Sequence, residues 1–482
     1  MHAARIAIFV FFLVFQVAVG DLQTTVDSIV SSAKIGGGTA SVCIIDTETD
    51  KLLVEIRSST SMIPASNQKL LTSGAALHIL GPSFQFETKV LWDEGSKTLT
   101  IIGDGDPTIG DPSLLGVTDW KTENQALENE LAPWVLAIQN AGIKSINSIK
   151  VDDRIFDHSF VHPSWPADQI NNWYCAQVSG LNYHLNVVHF LPSPRTKTAS
   201  LGEIAPKMPW ITFGNKTTSK RGKNNSSSFW VARLPNSNKM TARGNVKWKH
   251  TEPVKIAFHN PAAVFGEVLA RELRSNNIQV ETVKQVAQNA PQNKGVLIFT
   301  NRTPLSVALK RSNTDSHNLY AESLLKRIAA ASTNSSGTFD DGGKAVAKSV
   351  SQRLAINPAS LTPTDGSGMS RKNKVSTKIL ARWLASFDPD DPAGKKLLDS
   401  LATPGTGTLK NRFKNTNIEG STVHAKSGYL LGICSLSGYV TFDTRPPLAF
   451  SIIVNNVKGT VKGAKTMQER IVFAAIKDLM SN

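Results

Sequence analysis

Ile63-Pro64-Ala65-Ser66-Asn67-Gln68-Lys69 is the stretch on which the fold turns. It leads into Asn67 to Leu80, where Leu70, Leu71, Gly74, Ala75, Ala76 and Leu77 lie almost all round a helix that Gly81-Pro82 stops. A helix apolar on every side belongs inside a domain. The three-residue spacing of Ser66 and Lys69 sets a hydroxyl and an amine on one face of it, within mutual reach. A serine hydroxyl attacks poorly until its proton is removed, and a lysine removes it only where burial and nearby positive charge favour the neutral amine. The helix N-terminus further stabilises negative charge developing at Ser66. Ser-x-x-Lys is common by chance, so this reading needs partners elsewhere in the chain.

Two are found downstream. Ser316-His317-Asn318 precedes Leu319-Tyr320-Ala321-Glu322-Ser323-Leu324-Leu325, whose spacing predicts a helix with Ser316 near its start, and an ordinary helix cap is the alternative reading. Lys426-Ser427-Gly428 opens a β-rich C-terminal run, where a glycine lets another backbone or a ligand approach closely, and a surface turn is the alternative.

The two chain ends predict one antiparallel sheet. Leu22 to Lys34 reads as a helix; Ala40 to Ile45 and Leu52 to Ile56 read as a hairpin across the polar turn Asp46 to Asp50. Ile433 to Phe442 and Leu448 to Asn455 are strands, and Ala464 to Met480 is an amphipathic helix. Between the ends lies a region of another texture, with short strands at Lys89 to Trp92 and Thr98 to Ile102. The polar stretch Asn215 to Ser228 within it predicts a mobile surface loop.

A chain of 482 residues, 40% hydrophobic and 19% charged, is ordinary globular material. Residues 1–20, with Arg5, an apolar run from Ile6 to Val17 and the ending Ala18-Val19-Gly20, read as a secretory signal. An uncleaved anchor is the alternative, which Gln16 and the shortness of the run disfavour. Cys43, Cys175 and Cys434 are too few for a disulfide framework and lack metal-ligand spacing, so buried thiols or at most one bridge are expected. The net charge of +15 could suggest nucleic acid, but the Lys and Arg residues run along the chain without a nucleic-acid motif, and an anionic wall polymer fits better.

The ordered set Ser66-x-x-Lys69, Ser316-x-Asn318 and Lys426-Ser427-Gly428 resembles the motif set of penicillin-binding proteins and serine β-lactamases. Longer strings narrow the resemblance to the D-alanyl-D-alanine carboxypeptidase/endopeptidase family of penicillin-binding protein 4 type, peptidase family S13. They are the opening stretch itself, Gly103-Asp104-Gly105-Asp106-Pro107-Thr108, Asp365-Gly366-Ser367-Gly368-Met369-Ser370-Arg371, Ala425-Lys426-Ser427-Gly428 and Ser435-Leu436-Ser437-Gly438-Tyr439-Val440. The wide gap between Ser66 and Ser316 looks like this family's two nested insertion domains.

The resemblance implies a mixed α/β (α+β) fold of the β-lactamase/transpeptidase-like kind, an antiparallel five-stranded sheet flanked by helices. It divides the mature chain into a catalytic domain (21–90 and 295–482), an insertion domain II (91–175 and 251–294) and an insertion domain III (176–250). It implies attack by Ser66 on a terminal D-Ala-D-Ala peptide bond of peptidoglycan, with Lys69 as base and Ser316 passing a proton to the leaving amine. Asn318 would hold the substrate amide, Lys426 and Ser427 the terminal carboxylate, and the backbone N–H groups of Ser66 and of Tyr429, after Gly428, the oxyanion. Asp152, Phe156 and Arg371 match positions that recognise the side-chain peptide, although a solvated acid, a core aromatic and a surface arginine read equally well. β-Lactams would acylate Ser66; no metal or organic cofactor is implied, nor any nucleic-acid partner or integral membrane segment. Export follows, to the periplasm or exterior of a bacterium, or to a secretory or vacuolar compartment of a eukaryote.

Three positions depart from the pattern: Ser427 replaces threonine, His317 replaces aspartate, and bulky Tyr429 stands where threonine is usual, which is expected to narrow the site. Two other readings stay open, a catalytically silent wall-binding or β-lactam-binding scaffold and a β-lactamase-like hydrolase.

Overall fold

The computed structural model describes residues 21–220, 227–414 and 419–481, so the signal reading of residues 1–20 lies outside it. Among the described residues no helix is long and apolar enough to cross a membrane. Both chain ends build one five-stranded antiparallel sheet in the order Ser421–Leu430, Ile433–Phe442, Leu448–Asn455, Thr39–Asp46, Leu52–Ile56. Leu448–Asn455 is buried at all eight positions, as a strand covered on both faces must be. Helices Leu22–Ser31 and Lys462–Ser481 cover one face through Val26, Ile471 and Ile476. The other face takes Thr377–Ala385, which in turn packs on Gln68–Ile79. Gly74 permits that second contact, because a Cβ there would lie 2.7 Å from the Trp383 ring.

The predicted strands and terminal helices recur within a few residues of their expected limits. The start of the central helix differs: Ser66 lies in a short 3-10 turn, Ala65–Asn67, and the α-helix begins at Gln68. The polar stretch at Asn215 to Ser228 also differs, because Phe213–Thr218 is a strand; residues 221–226 lie outside the described part. That strand exposes Asn215 and Lys216 and buries Thr217, so it carries no apolar alternation by which it could be read.

The chain between the motifs forms a second five-stranded sheet, ordered Gln279–Gln285, Ser145–Asp152, Thr98–Ile102, Gln85–Asp93, Val296–Pro304, with mixed parallel and antiparallel pairs. Two three-stranded sheets join it: Phe213–Thr218, Met240–Asn245 and Trp230–Arg233, and Val254–Ala257, Val187–Phe190 and Ile204–Ala205. Helices Glu123–Asn140 and Pro261–Ser275 fill this region's core with Trp134, Phe265 and Leu269. Cys43, Cys175 and Cys434 are free and buried, so no bridge forms.

Candidate active site

The three sequence elements meet. Lys69 is fully buried, and its Nζ donates to Ser66 Oγ at 3.3 Å, to Asn318 Oδ1 at 2.8 Å and to the Ser367 carbonyl at 2.8 Å. Lys426, equally buried, donates to Ser316 Oγ at 2.8 Å and to its neighbour's carbonyl, Ser427 O, at 2.6 Å. Ser66 and Ser316 stay half-buried, whereas the amines bonded to them are fully buried. Ser316 has φ of 60°, a left-handed conformation costly for a non-glycine residue and frequent at functional sites.

The Ser421–Leu430 strand lies at the sheet edge and presses on the Ser66 turn. A Cβ at Gly428 would lie 2.3 Å from Ser435 Oγ and 2.8 Å from the Ser66 nitrogen. Ser435 Oγ donates to the Pro64 carbonyl at 2.7 Å. The Asn67 amide, oriented with its oxygen toward Ser437, places its nitrogen 2.9 Å from the Lys426 carbonyl. Thus the recurrent serines of Ser435-Leu436-Ser437 hold the Ser66 turn against the Lys426 strand.

Burial brings the neutral amine of Lys69 within reach near neutral pH. Burial lowers its pKa to about 8 against the opposing pull of Glu322 and Asp365. Burial and the neighbouring Lys69 push Lys426 well below the ordinary lysine range. Glu322 is also fully buried, and burial together with Asp365 raises its carboxyl. Its two oxygens accept from Gly366 N and Ser367 N, each at 2.8 Å, which fixes the loop whose Ser367 carbonyl accepts the Lys69 hydrogen bond. Glu322 was not singled out from sequence; the available signal was one acid in the apolar run Leu319 to Leu325, four residues after Asn318. Asp365 accepts from Trp165 Nε1 at 2.9 Å and from Ser370 N at 2.6 Å, bracing the same loop.

The remaining expected residues fall as follows. Asn318 uses Oδ1 for Lys69 and donates from Nδ2 to the Tyr174 carbonyl at 2.9 Å, so it positions Lys69. His317 is packed between the rings of Trp173 (5.4 Å) and Tyr320 (5.4 Å). Burial, reinforced by Arg311, lowers it to about 3, leaving a neutral ring with no acid–base part near neutral pH. Ser427 is half-buried, and Tyr429 is 58% exposed, with its ring at the rim. Arg371 is exposed at the same rim, donating to the Leu431 carbonyl at 2.6 Å. Asp152 is no solvated acid: it is buried and bound by Arg154 at 2.7 Å and by Asn293. Phe156 is fully buried, with the Lys326 ammonium 5.6 Å from its ring centre.

The D-alanyl-D-alanine carboxypeptidase of Actinomadura sp. (strain R39) is 27% identical over 466 residues, covering 91% of this chain and 82% of that protein. The penicillin-sensitive carboxypeptidase A of Dictyostelium discoideum is 22% identical, covering 97% of this chain and 92% of its own length. Among solved structures, penicillin-binding protein 4 of Haemophilus influenzae superposes with a TM-score of 0.76 at 22% identity, over 94% of this chain and 99% of that one. The same protein complexed with a β-lactam gives 0.69 at 23% identity, over the same shares. The expected fold is therefore present. The model of the D-Ala-D-Ala carboxypeptidase 3 (S13) family matches residues 22–476, and the chain belongs to that family of serine carboxypeptidases.

Proposed function

We propose that the chain removes the terminal D-alanine of peptidoglycan stem peptides through an ester on Ser66, and that β-lactams acylate the same hydroxyl. One observation carries the reading: a buried Lys69 amine, with its pKa lowered to about 8, within 3.3 Å of a half-buried serine. Ser66 Oγ attacks the penultimate D-Ala carbonyl and passes its proton to neutral Lys69. The oxyanion is received by the backbone N–H groups of Ser66 and Tyr429, each such donor contributing about 3 kcal/mol. The C–N bond breaks as Ser316, held by Lys426, delivers a proton to the departing D-alanine amine. Water then cleaves the Ser66 ester, with proton transfer back through Lys69. Lys426 and Ser427 take the terminal carboxylate, and Arg371 at the rim takes the stem peptide. Asp152 would join it on release from Arg154, and Phe156 on exposure of its buried ring. Action outside the membrane follows from the substrate.

We also infer two nested insertions, as expected. The pairing of Gln85–Asp93 with Val296–Pro304 in the second sheet supports crossings before Gln85 and after Pro304.

The test is fluorescent penicillin on the purified chain and on Ser66→Ala, with mass spectrometry of the adduct and a parallel D-alanine release assay. A stable adduct on Ser66 with release of D-alanine is expected. Rapid loss of the adduct would identify a β-lactamase, and neither adduct nor release would identify a scaffold.

A further inference from the structure

The positive charge is concentrated in one part of the chain. Residues 191–252 hold twelve Lys and Arg against two Glu, so this short segment carries ten of the fifteen net charges, together with three of the nine tryptophans. Its three-stranded sheet organises them. Strand register places Lys216, Arg243 and Trp230 directly opposite one another in one row, and directly opposed residues share a face. All three are exposed, while Val231, Met240 and Ala242 turn the other way into the core. Trp230 is 52% exposed, with the Arg243 guanidinium 5.8 Å from its ring centre. Just beyond the Met240–Asn245 strand, Trp248 is 49% exposed beside exposed Lys249.

Single exposed apolar residues are ordinary, but large aromatic planes in water beside unneutralised cations are surface suited to a ligand that combines apolar faces with negative charge. We propose that this face docks the peptidoglycan strand, with a sugar ring against Trp230 and stem-peptide carboxylates against Lys216 and Arg243. The choice of polymer rests on the proposed activity. Cleavage removes one residue from a peptide that stays tethered to glycan, so a second grip on the same polymer raises the effective concentration of peptide ends at Ser66. Charge attraction to the carboxylates weakens as salt screens it, whereas ring stacking does not.

The experiment is co-sedimentation of the full chain, carrying Ser66→Ala, with purified insoluble peptidoglycan over a range of salt. It is repeated with Lys216→Ser/Arg243→Ser and with Trp230→Ala, all at exposed positions. The parent should sediment in a salt-sensitive manner; each variant should weaken binding at least tenfold, and the Trp230 variant should keep the parent's salt dependence. In the Ser66 background these variants should release D-alanine from a short soluble D-Ala-D-Ala peptide at the parent rate. Undiminished sedimentation of the variants overturns the docking surface, as does equal competition by a short RNA or by anionic vesicles. Absence of D-alanine release from every variant and the parent counts against the proposed activity instead, because sedimentation is read without catalysis.

Discussion

Lys69 can act as a base only as a free amine, so its environment sets the pH range of acylation. With its pKa lowered to about 8, the rate of penicillin labelling should rise with pH through that value and level off above it. Glu322 pulls the other way, since its charge favours the protonated lysine. Because burial and Asp365 raise the Glu322 carboxyl into the same range, that pull acts only where the carboxyl is ionised, and Glu322→Gln should shift the upper part of the labelling limb to lower pH. It should also cost about 1–3 kcal/mol of stability, because an amide can accept from only one of the Gly366 and Ser367 N–H groups and leaves the other buried and unpaired. Stopped-flow labelling across pH and urea unfolding measure the two effects, and an unmoved limb would deny Glu322 its electrostatic part. Ser66 and Lys69 were legible because catalysis needs both residue types at one spacing. Glu322 was not, because its task depends on a loop 44 residues away, and no local pattern records it.

At the level of elements, function depends on how closely the Lys426 strand approaches the Ser66 turn. Gly428→Ala would force its Cβ against Ser435 Oγ and the Ser66 nitrogen. Overpacking of this kind costs about 1–3 kcal/mol; here part of the displacement falls on the Ser66 turn. Acylation by penicillin should drop more than tenfold while the melting temperature falls by only a few degrees; unchanged acylation would show that the turn yields without moving Ser66. Three strands of the main sheet, Thr39–Asp46, Ile433–Phe442 and Leu448–Asn455, were readable because nearly every position is buried and turn residues bound them. Phe213–Thr218 was misread as a loop because a small sheet with a solvated face has little apolar surface to impose a period. Ser66 was placed on the α-helix rather than in the 3-10 turn before it, since spacing alone does not distinguish the two near a helix start.

Across the whole molecule, the chain between Ser66 and Ser316 braces the surroundings of Lys69 and Asn318. Asp104 pairs with Arg327 at 2.8 Å, Asp157 with Lys326 at 2.5 Å, and Asp111 with Arg311 at 2.8 Å, while Trp165 and Tyr174 reach Asp365 and Asn318. Asp111 is the most consequential of these residues. It is fully buried and also accepts from Tyr320 OH at 2.6 Å, on the helix that begins at Asn318. Burial alone would raise its carboxyl, but Arg311, with His317 and Tyr320, outweighs that and holds it below the usual range. Asp111→Ala would leave Arg311 largely buried and short of a counter-charge, a loss of about 3–5 kcal/mol. Because the folded pKa lies below the unfolded one, the charge-dependent part of this stability is complete above the unfolded value, about 3.9, and is lost as pH falls through the folded value. The stability difference between wild type and Asp111→Ala, followed by urea unfolding from pH 7 to pH 3, should therefore be level near neutrality and shrink in acid. A difference that stays constant into acid would mean that packing, not the ion pair, joins the Asp111 loop to the Leu305–Asn313 helix that carries Arg311. The sequence could announce the insertions through the gap between Ser66 and Ser316, yet it could not show this junction, whose partners lie 200 residues apart and carry no mutual spacing rule.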